Sequence, residues 1–317
     1  MALVRMNSAQ EWMERFGAAR RPSVLTIGNF DGMHRGHQEI LKRVVLDARR
    51  KECMAAVLTF FPHPVRVLRP TDAPMLLNTL DQRLAAFEAA GIEAALVLRF
   101  DEALSKMGAE EFVEKYLAET MRAREVLVGE NFRFGHKQQG DMATLRALGK
   151  RFGFEVEIVG SLQVDDSVVS STAVRTTVSE GRMEDAAHLL GRPFTLSGQV
   201  QRGTGQGRKL VVPTLNLKTE QELLPKRGVY VTRTIVGGES FPSVTNVGMR
   251  PTFNGAHVTV ESNLFGFDLE VTSGEMEVQF LARLRDEQKF SGVEALREQV
   301  LRDIEKAKEF HREHATG

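Results

Sequence analysis

The sequence has little of what would give it a covalent framework or a single-signed surface. Cys53 is the only cysteine in 317 residues, which excludes an internal disulfide and any zinc cluster built on cysteines. It stands in Lys51-Glu52-Cys53-Met54 at the mouth of an apolar run, the setting of an inert thiol rather than a nucleophile. Net charge is missing as well, because 42 Lys and Arg meet 42 Asp and Glu. A nucleic-acid binder would show a basic excess, so any anionic ligand must be held here by local groups. No run approaches the roughly 18 apolar residues of a membrane span. The first 22 residues lack the apolar stretch of a secretion signal. No phosphate-binding loop of the Walker type occurs, nor any internal repeat or low-complexity segment. The expectation is a cytoplasmic protein with neither nucleic-acid nor membrane partners.

What is present suits about two globular domains at roughly 150 residues each. In the first half, β-rich runs alternate with helical patterns. Val24–Phe30 reads as a buried strand, and Ile40, Leu41, Val44, Val45 and Ala48 mark one helix face after it. Ala55–Phe60 is the next strand, followed by a helix carrying Leu80, Leu84 and Phe87. Further strands are expected at Ala94–Leu98, Glu125–Val128 and Glu155–Val159. Such alternation implies a parallel sheet with helices on both faces, and such folds bind ligands at the carboxyl ends of the strands.

The second half differs. From about Thr195 it offers Val- and Thr-rich runs between Gly and Pro, among them Gly228–Val236, Val258–Leu264 and Met276–Phe280. These suggest an antiparallel barrel. A terminal helix closes the chain, with Ser291 and Glu294 at capping-box spacing. Its apolar stripe is Val293, Leu296, Val300, Ile304 and Ala307. The helical pattern stops at Leu189-Leu190-Gly191-Arg192-Pro193, so domains are expected at 1–187 and 188–317.

The strongest local signal is Gly28-Asn29-Phe30-Asp31-Gly32-Met33-His34-Arg35-Gly36-His37, where a strand runs through a Gly-rich turn into a helix starting near Gly36. Backbone N–H groups at a helix start bind phosphate oxygens. Two histidines three apart can face one bound group, and Gly36 between them leaves room for a nucleotide. Phosphoryl-type transfer asks mainly for positioning and charge stabilisation, which two imidazoles at an α-phosphate supply. Thr59-Phe60-Phe61-Pro62-His63-Pro64 follows the next strand and falls at the same sheet edge. On its own it reads as a Pro-fixed loop with a packed histidine. Gly129-Glu130-Asn131-Phe132-Arg133-Phe134-Gly135 sets two aromatics around an arginine, which suits a flat ring bearing a phosphate and equally suits a core. Ser170-Ser171-Thr172-Ala173-Val174-Arg175 places hydroxyls before a helix, as a ligand site or as a plain N-cap.

These motifs, in this order and over nearly the whole chain, resemble the bacterial bifunctional riboflavin kinase/FMN adenylyltransferases, the FAD synthetases. The resemblance implies an α/β nucleotidyltransferase domain of Rossmann-like form, then a β-barrel flavokinase domain with a C-terminal helix. It implies ATP-dependent phosphorylation of riboflavin to FMN, then adenylylation of FMN to FAD with release of pyrophosphate. His34 and His37 match the catalytic pair of the second reaction. Gly28, Phe30, Asp31, Gly36, Ser171, Thr172 and Arg175 match its ATP contacts, and Pro62, His63, Asn131, Phe132 and Arg133 its flavin contacts. In the second half Gly203, Gly205 and Gly207 form a glycine loop able to lie over ATP phosphates. Pro213-Thr214-Leu215-Asn216 matches the family's Mg²⁺-ATP motif, with Thr214 and Asn216 as metal ligands, and Glu261 matches the base that takes the ribityl proton. Without the resemblance Glu261 would read as an exposed strand carboxylate.

The second half also departs from the family. Val211-Val212 stands where Gly-Phe is usual, Ser262-Asn263 replaces a hydrophobic residue and His, and Gly266 replaces an acid. Asp268-Leu269-Glu270-Val271 stands where Leu-Tyr-Gly is usual. β-branched valine resists the positive φ that glycine allows, so the expectation is a kinase with a weakened hold on ATP. An adenylyltransferase with a weakened or inactive kinase domain, and a flavin-binding protein without turnover, stay open as alternatives.

Overall fold

Runs such as Met54–Phe61 are apolar at odd and even positions alike, and a strand of that kind has to be covered on both faces. In the computed structural model, which describes residues 2–17, 21–164, 167–201, 212–252, 255–267 and 273–314, that cover is provided within the first of two units, Met1–Ser170. Its strands are β1 (Val4–Met6), β2 (Ser23–Ile27), β3 (Met54–Phe61), β4 (Ala94–Arg99), β5 (Ala123–Gly129) and β6 (Glu155–Val159). They form one sheet in the order β1-β4-β3-β2-β5-β6, every pair parallel. Its helices are α1 (Ala9–Phe16), α2 (Arg35–Arg50), α3 (Pro64–Leu68), α4 (Leu80–Ala89), α5 (Glu102–Lys106), α6 (Ala109–Phe112) and α7 (Met142–Phe152). A π-helical segment, Val113–Thr120, continues α6, and a two-strand ribbon of β7 (Gln163–Val164) and β8 (Ser167–Val168) follows β6.

Alternate residues of the central strands sort into two cores. Leu25, Ile27, Met54, Ala56 and Leu58 pack with Trp12 of α1, Phe112 of α6 and Leu145 of α7. Val24, Ala55 and Val57 pack with Leu41 and Val44 of α2 and Phe87 of α4 on the other side. The expected parallel sheet between helical layers is therefore present. From β2 the chain winds outward through β3 and β4, then crosses back to β5, so the order reverses beside β2. The carboxyl edge at such a reversal is where open α/β sheets take their ligands.

Two local expectations change. β2 stops at Ile27 instead of running to Phe30, because Phe30, Gly32 and Met33 adopt φ of +53°, +86° and +46°, which no strand accommodates. β1 and α1 add an edge strand and a helix that the amino-terminal pattern does not announce. Ser8 caps α1 by accepting from the Glu11 N–H.

The second unit, Ser171–Gly317, opens with α8 (Ser171–Glu180) and α9 (Met183–Leu190). Six strands follow: β9 (Phe194–Gln201), β10 (Leu215–Thr219), β11 (Gly228–Val236), β12 (Glu239–Thr252), β13 (Gly255–Leu264) and β14 (Glu275–Asp286). They close into an antiparallel barrel in the order β10-β13-β12-β11-β14-β9. The terminal helix is α10 (Val293–Glu313). The two units part at 170/171, whereas the expected division at 187/188 falls inside α9.

Val229 and Val231 of β11 pack with Val244, Ala282, and Ile304 and Ala307 of α10, and Val212 leans on the same cluster. Arg285 of β14 holds Asp303 of α10 through bonds of 2.7–3.1 Å, with Asp303 almost fully buried. The capping box expected at Ser291 and Glu294 is not formed. Gly292 occupies the cap position without a side-chain bond, and Val293 is 48% exposed. The helix meets the barrel only from about Val300, so its first turn has no apolar face to bury.

The alternate residues of β11 carry hydroxyls. Thr234, Ser243, Thr232, Thr245 and Ser262 are fully buried, and they link in that order through Oγ···Oγ contacts of 2.9, 2.8, 2.7 and 2.7 Å. Each hydroxyl satisfies its neighbour across β11, β12 and β13, so the polar atoms are desolvated without being orphaned. Thr245→Val keeps the volume and removes the link between Thr232 and Ser262. It should lower stability by about 1–3 kcal/mol in urea denaturation followed by circular dichroism. An unchanged midpoint would show that the chain of hydroxyls contributes nothing.

Candidate active sites

The turn from β2 into α2 is built on left-handed backbone at three of its residues, and only one of them is glycine. Gly32 takes φ of +86°, where a side chain is strained, and a Cβ there would also push on Leu77 Cδ1 at 2.6 Å. The buried carboxylate of Asp31 accepts from the backbone N–H groups of Leu77 (2.9 Å) and Asn78 (3.2 Å), tying the turn to the segment before α4. Phe30 points into the core, with its ring edge-on to Phe87 at 5.2 Å and to His37 at 5.2 Å. Gly28 donates its N–H to Leu58 O at 3.1 Å and so anchors the start of the turn on β3.

His34 is the N-cap of α2, its Nδ1 accepting from the His37 N–H at 3.4 Å. That bond leaves the proton of a neutral His34 on Nε2. The two imidazoles stack, with centroids 3.6 Å apart and planes 19° from parallel. Burial lowers His34 to about 4. His37 is held well below the ordinary histidine value by burial first, then by the neighbouring His34 and Arg83. Both rings are neutral at pH 7, and His37 Nδ1 finds no partner among the described residues. A neutral imidazole N–H can donate to an anionic oxygen without bringing a counter-charge of its own. The space left by Gly36 is filled differently from the expectation. A Cβ there would meet the His34 ring at 3.3 Å, so the glycine makes room for the histidine itself.

Two further motifs reach the same edge on either side of β2. Pro62 and His63 follow β3, and His63 caps α3 by accepting from the Val65 N–H at 3.3 Å. Pro62 and Phe61 also line a cavity of about 350 Å³ with Arg5, Asn7, Val97 and Arg99. Asn131, Phe132 and Arg133 follow β5, with Asn131 and Arg133 exposed and Phe132 stacked on Phe134 at 5.5 Å. Adjacent strands lie about 4.8 Å apart, so the ends of β3, β2 and β5 form one continuous shelf. Ser171 and Thr172 open α8, and Arg175 is half-buried one turn later in that helix, which belongs to the second unit.

Arg83 of α4 is a part of the first site that the sequence reading missed, although a cation within the Leu80, Leu84 and Phe87 stripe is the signal that could have found it. The spacing of Arg83 from Leu80 and Phe87 puts it on the core-facing side of α4, where only 4% of it is exposed and its Nη1 donates to the Asn29 carbonyl at 2.7 Å.

In the barrel, register assembles the second group. Asn216 on β10 is the cross-strand partner of Glu261 on β13, and Glu261 in turn faces Asn246 on β12. Direct partners of this kind have Cβ atoms about 5 Å apart. Thr214 precedes Asn216 by two residues, and its segment is held by Asn263, whose Nδ2 donates to Pro213 O at 2.7 Å. Asn246 has no role assigned from sequence, and only the barrel's register brings it to Glu261. Gly203, Gly205, Gly207 and Val211 lie outside the described residues, as do residues 268–271.

An open α/β sheet with paired histidines at its central helix start, followed by a closed barrel with an Asn–Glu cross-strand pair, gives the chain two separate centres suited to phosphoryl-type transfer. The FAD synthetase family model matches residues 17–173, and the riboflavin kinase model matches residues 190–311. The Bifunctional riboflavin kinase/FMN adenylyltransferase of Haemophilus influenzae is 36% identical over 90% of this chain and 93% of its own length. That of Escherichia coli is 32% identical over 92% and 94%. The chain belongs to the bifunctional riboflavin kinase/FMN adenylyltransferase family. Among solved structures, a macrolide-efflux protein from Streptococcus pneumoniae superposes with a TM-score of 0.86 at 27% identity, over 97% of this chain and 99% of that one. No helix among the described residues is long and apolar enough to cross a membrane.

The neutral histidines carry a pH signature. Between about pH 6.5 and 4 the unfolded chain protonates His34 while the folded chain does not. Stability should therefore be full above pH 6.5, fall as the pH drops, and level off near 4, a loss of about 3 kcal/mol from this residue. His34→Asn keeps a cap acceptor but cannot titrate. Its urea midpoint should change less than the parent's between pH 7 and pH 5, and equal changes would contradict the assignment.

Proposed function

We propose that the stacked pair His34 and His37 is the adenylyl-transfer centre of this enzyme and that Glu261 is the base of its kinase half. The chain phosphorylates riboflavin to FMN at the expense of ATP, then joins FMN to the AMP part of a second ATP to give FAD and pyrophosphate. The observation that carries the first assignment is two neutral, stacked imidazoles at a helix start, on the edge where the strand order reverses. An FMN phosphate oxygen attacks the α-phosphorus of ATP, the new P–O bond forms, and the bond to the β-phosphate breaks with its electron pair leaving on pyrophosphate. Negative charge grows on the α-phosphate oxygens as this happens, and His34 Nε2–H with its stacked partner stabilises it. Gly28 and Gly36 shape that pocket through backbone, and Phe30 and Asp31 hold it through a buried ring and a carboxylate that accepts from the Leu77 and Asn78 N–H groups. Ser171, Thr172 and Arg175 are assigned to the same ATP from the resemblance of their motif. The flavin lies along the shelf between Pro62 and His63 at one end and Asn131, Phe132 and Arg133 at the other.

In the second half, Glu261 takes the proton of the ribityl 5′-hydroxyl as its oxygen attacks the γ-phosphorus and ADP leaves. The oxygen donors of Thr214 and Asn216 suit a hard cation, and they would hold Mg²⁺ beside Glu261. That ion supplies charge neutralisation on the transferred phosphate. Gly203, Gly205 and Gly207 are assigned to the phosphates of this second nucleotide. Two of the departures from the family pattern have work in this chain: Ser262 belongs to the buried hydroxyl chain, and Asn263 holds the segment bearing Thr214. That supports a working kinase. We assign adenylyl transfer to residues 1–187 and the kinase to 188–317, functional bounds distinct from the 170/171 division of the fold, in a cytoplasmic enzyme.

Separate assays test the two assignments. His37→Ala should lower the kcat of FAD formation from FMN by about 10²-fold or more while riboflavin phosphorylation persists. Glu261→Gln should do the reverse, abolishing FMN formation and sparing adenylylation. Parental activity in either affected assay would remove that residue from the chemistry.

A further inference from the structure

Arg83 is buried beneath the first site, and its three acceptors among the described residues are neutral oxygens. Its Nη1 donates to the Asn29 carbonyl (2.7 Å), the Thr59 hydroxyl (3.0 Å) and the Phe60 carbonyl (3.2 Å). Its Nε has no partner among the described residues. Asn29 begins the left-handed turn that leads to the histidine pair, and Thr59 and Phe60 end β3 just before Pro62 and His63. One guanidinium thus joins the nucleotide turn to the flavin strand.

The connection is reciprocal. Asp31 reaches from the turn to the Leu77 and Asn78 N–H groups before α4, and Arg83 reaches from the second turn of α4 back to the turn. Thr79 and Gln82 form a full capping box between them, so the start of α4 is itself fixed. The clamp closes around a segment in which Phe30 and Met33 hold positive φ, a conformation that non-glycine residues leave unless surrounding bonds over-determine it. Removing a guanidinium from water is costly when neutral oxygens alone receive it. The nearby charge is the Asp31 carboxylate, one oxygen of which already accepts two backbone N–H groups.

We infer that Arg83 is a positioning residue for adenylyl transfer, a buried cation that sets the histidine turn against the flavin strand and whose charge is matched by the bound triphosphate. It acts through Asn29 and through its field, since it is too buried to reach the substrate directly. This rests on the His34–His37 reading of the site, and the test separates the two.

Arg83→Met and Arg83→Lys would be compared with the parent in FMN adenylylation across pH, with Trp12 emission as the report on the first unit's core, where that ring is fully buried. Arg83→Met should retain parental Trp12 emission and lose at least about 30-fold in kcat for FAD formation. The acid limb of its rate profile should move to higher pH, because Arg83 is among the charges that disfavour protonation of His37. Arg83→Lys restores the charge without the three-way bond and should recover part of the rate and most of the pH profile. A kcat within about threefold of the parent, or a lowered rate with an unmoved profile, would make Arg83 a structural core residue and overturn the inference. Should Arg83→Met fail to fold, Arg83→Lys decides alone: reduced kcat with intact Trp12 emission supports the role, and parental kcat refutes it. His37→Ala run alongside isolates the premise, since its retention of FAD synthesis would remove the site reading, whereas its loss beside an active Arg83→Met would remove only Arg83.

Discussion

Everything at the carboxyl edge of the first sheet depends on holding a short left-handed turn in place. A non-glycine residue in that region costs about 1–2 kcal/mol, and the turn uses two, Phe30 and Met33. Burial of both side chains, 2% and 3% exposed, offsets the cost from below. The bonds of Asp31 and Arg83 hold the turn from the side. What the strain secures is the direction of the chain as it enters α2. His34 can then cap the helix with Nδ1, and His37 can lie flat against it one turn on. The tautomer and the low basicity of the pair follow from that geometry rather than from the histidines alone.

The alternation of the first half was legible because strands buried on both faces and amphipathic helices leave different periods. Glu155–Val159 and Gly228–Val236 have the ends their patterns suggest. Where the pattern misleads, a local reason is visible. β1 is three residues long at a sheet edge, too short for any period to register. β12 runs through Pro242, Gly248 and Pro251, residues that ordinarily end strands, and only its two long neighbours keep it paired. Ser291 and Glu294 have the right spacing for a cap but stand before the point at which α10 meets the barrel.

The site was legible in proportion to how local it is. His34 and His37 sit within one helical turn, so spacing alone brought them together. Asn216, Glu261 and Asn246 come from three strands, and their meeting is a property of closure and register that no short window contains. Arg83 was hidden for another reason. Its spacing from Leu80 and Phe87 turns it toward the core, but its partners are backbone carbonyls and a threonine hydroxyl, groups present everywhere, so what it holds shows only in three dimensions.

The buried hydroxyls give the barrel a way of measuring its own alignment. Along β12 and β13 the inward positions read Ser243, Thr245, Val247 against Leu264, Ser262, Val260. Hydrocarbon partners are interchangeable, and a slip of two residues would keep every side chain on its proper face. Either slip, however, sets Thr245 opposite Val260 or Leu264, and the bond between the Thr245 and Ser262 hydroxyls is lost. The polar positions therefore act as alignment marks on an otherwise uniform surface. They fix the offset of neighbouring strands to which the row of Asn216, Glu261 and Asn246 owes its existence.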